Sequence, residues 1–183
     1  MNKVKIILVL FIPFFFGCNK DDDLPPLNRD YWGSISVLKN GEMWNPQIIG
    51  LTVPTWPKVY SIEMATYDSH NIQRYSLSIF GIPNDSLGVF KITEENAHDT
   101  KNGSISALYI TIIEDGDVLG DVFLLDKSAN NYIEITEIDS NEVKGTFKIS
   151  LKRDITINTK YLEKADTIHF TEGKFHTRII EAK

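Results

Sequence analysis

The sequence predicts an all-β domain: an antiparallel β-sandwich or flattened β-barrel of about ten strands, with at most one or two short helices. Three observations lead there. Nearly every segment after Asp30 alternates apolar and polar residues with period two, the pattern of a half-buried strand. Two tight-turn signals, Asn40-Gly41 and Asp115-Gly116, each separate a pair of such runs. Only Asn158 to Ala165 reads as a helix, and it is short.

The first segment is of a different kind. Lys3 and Lys5 precede an apolar run from Ile6 to Phe16, closed by Gly17 and Cys18. A membrane span needs roughly 20 apolar residues, so this run is too short to be one. Basic start, short apolar stretch and small residue are the parts of a secretory signal peptide, assigned to residues 1–17. Cys18 is the sole cysteine, so no disulfide forms within the chain.

Residues 18–29 form a tether. Asn19-Lys20-Asp21-Asp22-Asp23 is polar and charged, and Leu24-Pro25-Pro26-Leu27-Asn28 favours extended polyproline geometry. At about 3.1 Å per residue, positions 19–28 reach roughly 30 Å. A single domain, residues 30–183, follows. Removing residues 1–17 takes away two lysines and no acids. Lys+Arg then falls from 19 to 17 against 25 Asp+Glu, a net charge of −8. That balance argues against nucleic acid, whose binders need a basic face.

Within the domain, Ile35 and Val37 lead into the Asn40-Gly41 hairpin, and Glu42-Met43-Trp44 returns. Pro46 has no N–H to give a ladder, so an edge or a switch of sheet position is expected there. Gln47 to Val53 continues as strand, and Pro54-Thr55-Trp56-Pro57 is a stiff loop. Val59–Thr66 and Tyr75–Ile82 are strands around Asp68-Ser69-His70-Asn71. Pro83 to Gly88 is a turn cluster, Val89–Thr93 a short strand and Glu94–Gly103 a polar loop. Ser104–Ile113 and Val118–Leu125 form the second hairpin. Tyr132–Ile138 pairs with Val143–Leu151, odd positions facing odd if Ile133, Ile135, Phe147 and Ile149 share the core. Glu134 then faces solvent near Thr146 or Lys148. Thr167–Ile180 ends the domain. Gly145-Thr146-Phe147 and Gly173-Lys174-Phe175 echo one another, as neighbouring strands bent at one level.

Two resemblances add to this. Phe15-Phe16-Gly17-Cys18 resembles a lipobox, with Phe15 where Leu is usual. It implies a mature chain that starts at a lipidated Cys18, carrying diacylglycerol and an amide-linked acyl chain such as palmitate. Each buried methylene contributes roughly 0.8 kcal/mol, so several chains anchor firmly where one does not. Lys20-Asp21-Asp22-Asp23 resembles the surface-export signal of Bacteroidota lipoproteins. Asn40-Gly41 before Trp44, Ile135-Thr136-Glu137-Ile138-Asp139, Gly145-Thr146-Phe147 and Gly173-Lys174-Phe175 together resemble uncharacterised Bacteroidota lipoprotein domains. That resemblance covers most of residues 31–180; it implies an all-β fold and an envelope location, and brings no activity.

Candidate sites are few. His169 and His176 lie seven apart, on opposite faces of a continuous strand unless a bulge intervenes, and nothing nearby completes a zinc set. Glu114, Asp115, Asp117 and Asp121 lack calcium-loop spacing, and the hairpin explains Asp115-Gly116. No metal and no cofactor is therefore expected. No Gly-x-Ser-x-Gly elbow occurs. Glu94, Glu95, Glu134 and Glu137 are glycosidase candidates only if two of them meet in a cleft. Trp56, between Pro54 and Pro57, is the candidate binding residue, because an aromatic on a rigid loop loses little entropy on contact. Trp32 and Trp44 are assigned to the core.

The expectation is an outer-membrane lipoprotein, anchored through Cys18 and facing outward, that serves as a non-enzymatic binding or accessory module for a glycan or protein. The alternatives are a periplasm-facing carrier of small apolar ligands and a glycan hydrolase.

Overall fold

A computed structural model describes residues 31–52, 58–94, 104–157 and 162–181. The signal peptide, Cys18, the tether and Trp56 lie outside these residues. The described residues form eleven strands: β1 (Gly33–Lys39), β2 (Glu42–Trp44), β3 (Gln47–Thr52), β4 (Val59–Tyr67), β5 (Gln73–Pro83), β6 (Gly88–Glu94), β7 (Ile105–Ile113), β8 (Val118–Leu125), β9 (Tyr132–Asp139), β10 (Glu142–Arg153) and β11 (Thr167–Glu181). They join in one sheet that is antiparallel except for two short parallel pairings, β11 with β3 and β6 with β7.

The sheet closes on itself. Hydrogen-bonded neighbours run from β11 through β3, β4, β5, β7, β8 and β10 back to β11. A second route, β7–β6–β9–β10, covers the other end of the same wall. The split is possible because β7 and β10 each divide one edge between two partners: β6 and β9 take their N-terminal and β8 their C-terminal parts. The β1–β2 hairpin hangs on the flank of β11. Asn40 and Gly41 both have positive φ, 51° and 84°, as the tight turn demands. The change of position expected at Pro46 is real: β2 lies at the sheet's edge, whereas β3 sits beyond β1 and β11.

Alternation fills the inside. Buried side chains from both walls merge into a single cluster, with Tyr60, Tyr109, Phe123, Phe147 and Phe170 the largest of them. Close packing of this kind is what a disulfide-free domain relies on. The predicted register of β9 on β10 holds. Ile133 faces Phe147, and Glu134 faces Thr146, whose hydroxyl donates to Glu134 Oε2 at 3.2 Å.

The Gly-x-Phe echo proves to be reciprocal packing. Gly145 pairs with Phe175 and Gly173 with Phe147. Each ring covers the other strand's glycine: a Cβ on Gly173 would lie 2.6 Å from Phe147, and one on Gly145 would lie 2.8 Å from Phe175. Aromatic cover of a strand glycine is a known device for closing curved sheets.

Two expectations fail. The helix expected over 158–165 does not form in its described part, 162–165. There the backbone groups that a helix would use are bound by side chains instead, as described below. The two histidines of β11 do not lie on opposite faces. Glu172 (φ 55°) forms a bulge against both β1 and β10, which shifts the phase so that His169 and His176 both point outward. Seven residues of strand still separate them by about 20 Å.

Candidate functional site

Two polar regions stand out, one inside the wall and one outside. The inner one centres on Asp121 of β8, which is fully buried. Its carboxylate pairs with Arg153 at the end of β10, whose side chain is 4% exposed. It also accepts the backbone N–H groups of Leu162 (2.6 Å) and Glu163 (2.9 Å). Arg153 Nη2 donates to the carbonyls of Glu163 (2.6 Å) and Ala165 (3.0 Å), and its Nε to Asp166 (3.1 Å). The guanidinium also lies 4.8 Å from the Phe123 ring centre. One buried ion pair therefore binds residues 162–166 by their backbone, and this is why they are not helical.

Next to it, Lys39 at the end of β1 pairs with Glu163, and both bond the Tyr109 hydroxyl, Lys39 at 2.9 Å and Glu163 Oε1 at 2.7 Å. Tyr75 and Tyr109 present their rings to the ammonium at 4.9 and 5.1 Å. Trp44 packs on Phe170 and Tyr109, a core role as the sequence predicts. Burial and then the Glu163 charge push the Tyr109 phenol far above its ordinary value. Every charge here has a partner, and the phenol stays neutral. The region holds chain in place.

The outer region was not foreseen. Trp32 is not in the core: it is 37% exposed. Its indole meets the Arg178 guanidinium at 4.5 Å and the His176 ring edge-on at 5.2 Å. Glu142 ties the two side chains together, bonded to His176 Nε2 at 2.9 Å and accepting from Arg178 Nη2 at 3.3 Å. The His176 hydrogen bond and then Arg178 hold Glu142 below the usual carboxylate range. Arg178 Nε is buried and has no hydrogen-bond partner among the described residues.

The Trp32 backbone is fixed. Its N–H donates to Ile48 at 3.0 Å, and its carbonyl accepts the buried Thr177 hydroxyl at 2.8 Å. Gly33 follows at φ 135°, pressed so close to the His176 carbonyl that no side chain fits. The sequence did carry the signal. Trp32 shares the parity of exposed Ser34 and Ser36, not that of Ile35 and Val37.

The other candidates do not assemble. Glu134 is held by Thr146 and Glu137 by Lys144, each on the outer face of β9. Glu94 ends β6, and Glu95 lies outside the described residues. Asp121 turns inward, away from exposed Glu114, Asp115 and Asp117, so the four do not form a calcium loop. Among the described residues no three His, Asp or Glu side chains gather as a metal needs.

Ser150 and His169 do form a pair, Oγ to Nδ1 at 2.9 Å. Yet Ser150 is buried, and its N–H and carbonyl are bound by Asn131 and Asp126. This fixes a strand to a loop. A cleft of about 390 Å³ between Leu124, Lys152 and Ile155 holds Asp126. Hydrogen bonds from Ser128 and then Lys152 already engage that carboxylate and lower its pKa.

No family model matches the chain, and neither a curated protein nor a solved structure is significantly similar to it.

Proposed function

We propose that this protein is an outer-membrane lipoprotein, anchored through an acylated Cys18 and displayed on the cell surface, that works as a non-enzymatic binding or accessory module. Its resemblance to Bacteroidota lipoprotein domains belongs to the same proposal. The leader ending in Gly17-Cys18 and the charged, proline-bearing tether support the anchor. The observation that carries the binding role is Trp32: a large aromatic kept at the surface on a backbone fixed from three sides. A preorganised aromatic forfeits little on contact, which is what a binding anchor requires. The continuous cluster of buried side chains favours this reading over a carrier of apolar ligands.

Two measurements on intact cells test it. Incorporation of a palmitate analogue is expected in the natural chain and absent in Cys18→Ala. External protease is expected to remove the full-length protein while a periplasmic lipoprotein survives. Label in the Cys18→Ala chain would contradict the anchor. Protection until lysis, with an unfolded control digested, would move the module to the periplasmic face.

A further inference from the structure

The rim of Trp32 has a definite chemistry. A pyranose ring offers a flat C–H face bordered by hydroxyls, each of which both donates and accepts. The Trp32 patch offers matching groups: a part-exposed indole with the Arg178 guanidinium over its ring, the His176 imidazole against it at right angles, and the Glu142 carboxylate bonded to both. Amphipathic aromatics with one apolar face and a wet border suit such ligands.

The neighbouring surface extends the platform. Ser34 pairs with His176 and Ser36 with Lys174 across β1 and β11, and all four point outward. The two serines are small, so beside the indole the wall is low and polar. This part of the sheet is stiff, because β11 is paired along most of its length on both edges.

We infer that Trp32, with Glu142, His176 and Arg178 around it and Ser34 and Ser36 beside it, is a carbohydrate-binding subsite that packs a pyranose unit of an oligosaccharide against the exposed part of the indole. This rests on the binding role proposed above and names its ligand class. It also shifts the site from Trp56, which lies outside the described residues, to the outer face of β1 and β11.

The chain has three tryptophans, which makes the test specific. The full chain, purified in a zwitterionic detergent without sugar headgroups and labelled with ¹⁵N-tryptophan, gives one indole N–H signal each for Trp32, Trp44 and Trp56. Single Trp→Phe variants assign them. The probes are malto-, cello-, xylo- and mannohexaose and an oligogalacturonate, each titrated to millimolar concentration. The expected result is movement of the Trp32 signal with at least one probe, and an affinity reduced roughly tenfold or more in Trp32→Ala, as for a hot-spot aromatic. Glu142→Gln should weaken the same probe without moving the Trp44 signal.

Movement of Trp56 alone overturns the Trp32 subsite but leaves a glycan-binding module. Silence of all three signals with every probe overturns the carbohydrate inference, while surface display remains to be judged by the protease experiment. Binding that survives Trp32→Ala at full strength also overturns the subsite.

Discussion

The Arg153–Asp121 region and the Trp32 region are both built from charges and aromatics, yet they are arranged for opposite ends. In the first, the carboxylate and guanidinium are buried and saturated, and their spare capacity goes to the backbone of residues 162–166. In the second, the aromatic stays at the surface and the charges are part-exposed. A saturated polar network has nothing left to offer a ligand and is costly to damage. An exposed one costs little to keep and has capacity to bind.

Damage to the inner region should have the largest effect. Asp121→Ala takes from Arg153 its buried carboxylate partner, and loss of one partner of a buried pair costs about 3–5 kcal/mol. Urea unfolding should show that loss, together with faster proteolysis near residues 162–166. A loss below about 1 kcal/mol would mean the pair is not the fastening it looks like.

The glycine–phenylalanine interlock comes next. Gly145→Ala pushes a methyl group into the Glu134 carbonyl as well as the Phe175 ring. The backbone cannot yield as a side chain can, so about 1–3 kcal/mol should be lost, as in overpacked cores. Unchanged stability would show that the sheet flexes at that level.

Two buried phenols give a finer contrast. Tyr109 has two hydrogen bonds to charged groups, whereas the Tyr60 hydroxyl is buried with none. Tyr109→Phe should cost about 1.5–3 kcal/mol. Tyr60→Phe should be neutral or stabilising, because it removes an unpaired polar atom. The reverse order would contradict the account of both. Burial raises both phenols above the ordinary 10.0. A raised folded pKa leaves stability intact below the unfolded value and erodes it as pH rises beyond. Alkaline destabilisation should therefore begin near pH 10, where unfolded phenols ionise, and should be smaller in Tyr60→Phe.

What the sequence revealed follows from the reach of each signal. Hairpins at Asn40-Gly41 and Asp115-Gly116, and the odd-to-odd register of β9 on β10, are written in neighbouring residues. The bulge at Glu172 was legible too, since the core parity changes from Ile168 and Phe170 to Phe175 and Thr177. The Trp32 site is harder to see. Its partners, Glu142, His176 and Arg178, lie more than a hundred residues away and meet it only once β11 pairs with β1 and β10. Asp121 and Arg153 belong to the same class. An aspartate beside a glycine-rich hairpin looks solvated, and nothing local says that an arginine thirty-two residues on will bury it.

A modest stability effect is expected where the functional effect is largest. One paired measurement on Trp32→Ala decides whether the outer region binds or merely braces: urea unfolding together with the oligosaccharide titration on the same preparation. The account predicts a stability loss below about 2 kcal/mol, the packing of the indole's covered part, with the saccharide response lost. Stability lowered by more than about 2 kcal/mol with the response intact would make Trp32 a structural brace and contradict the account.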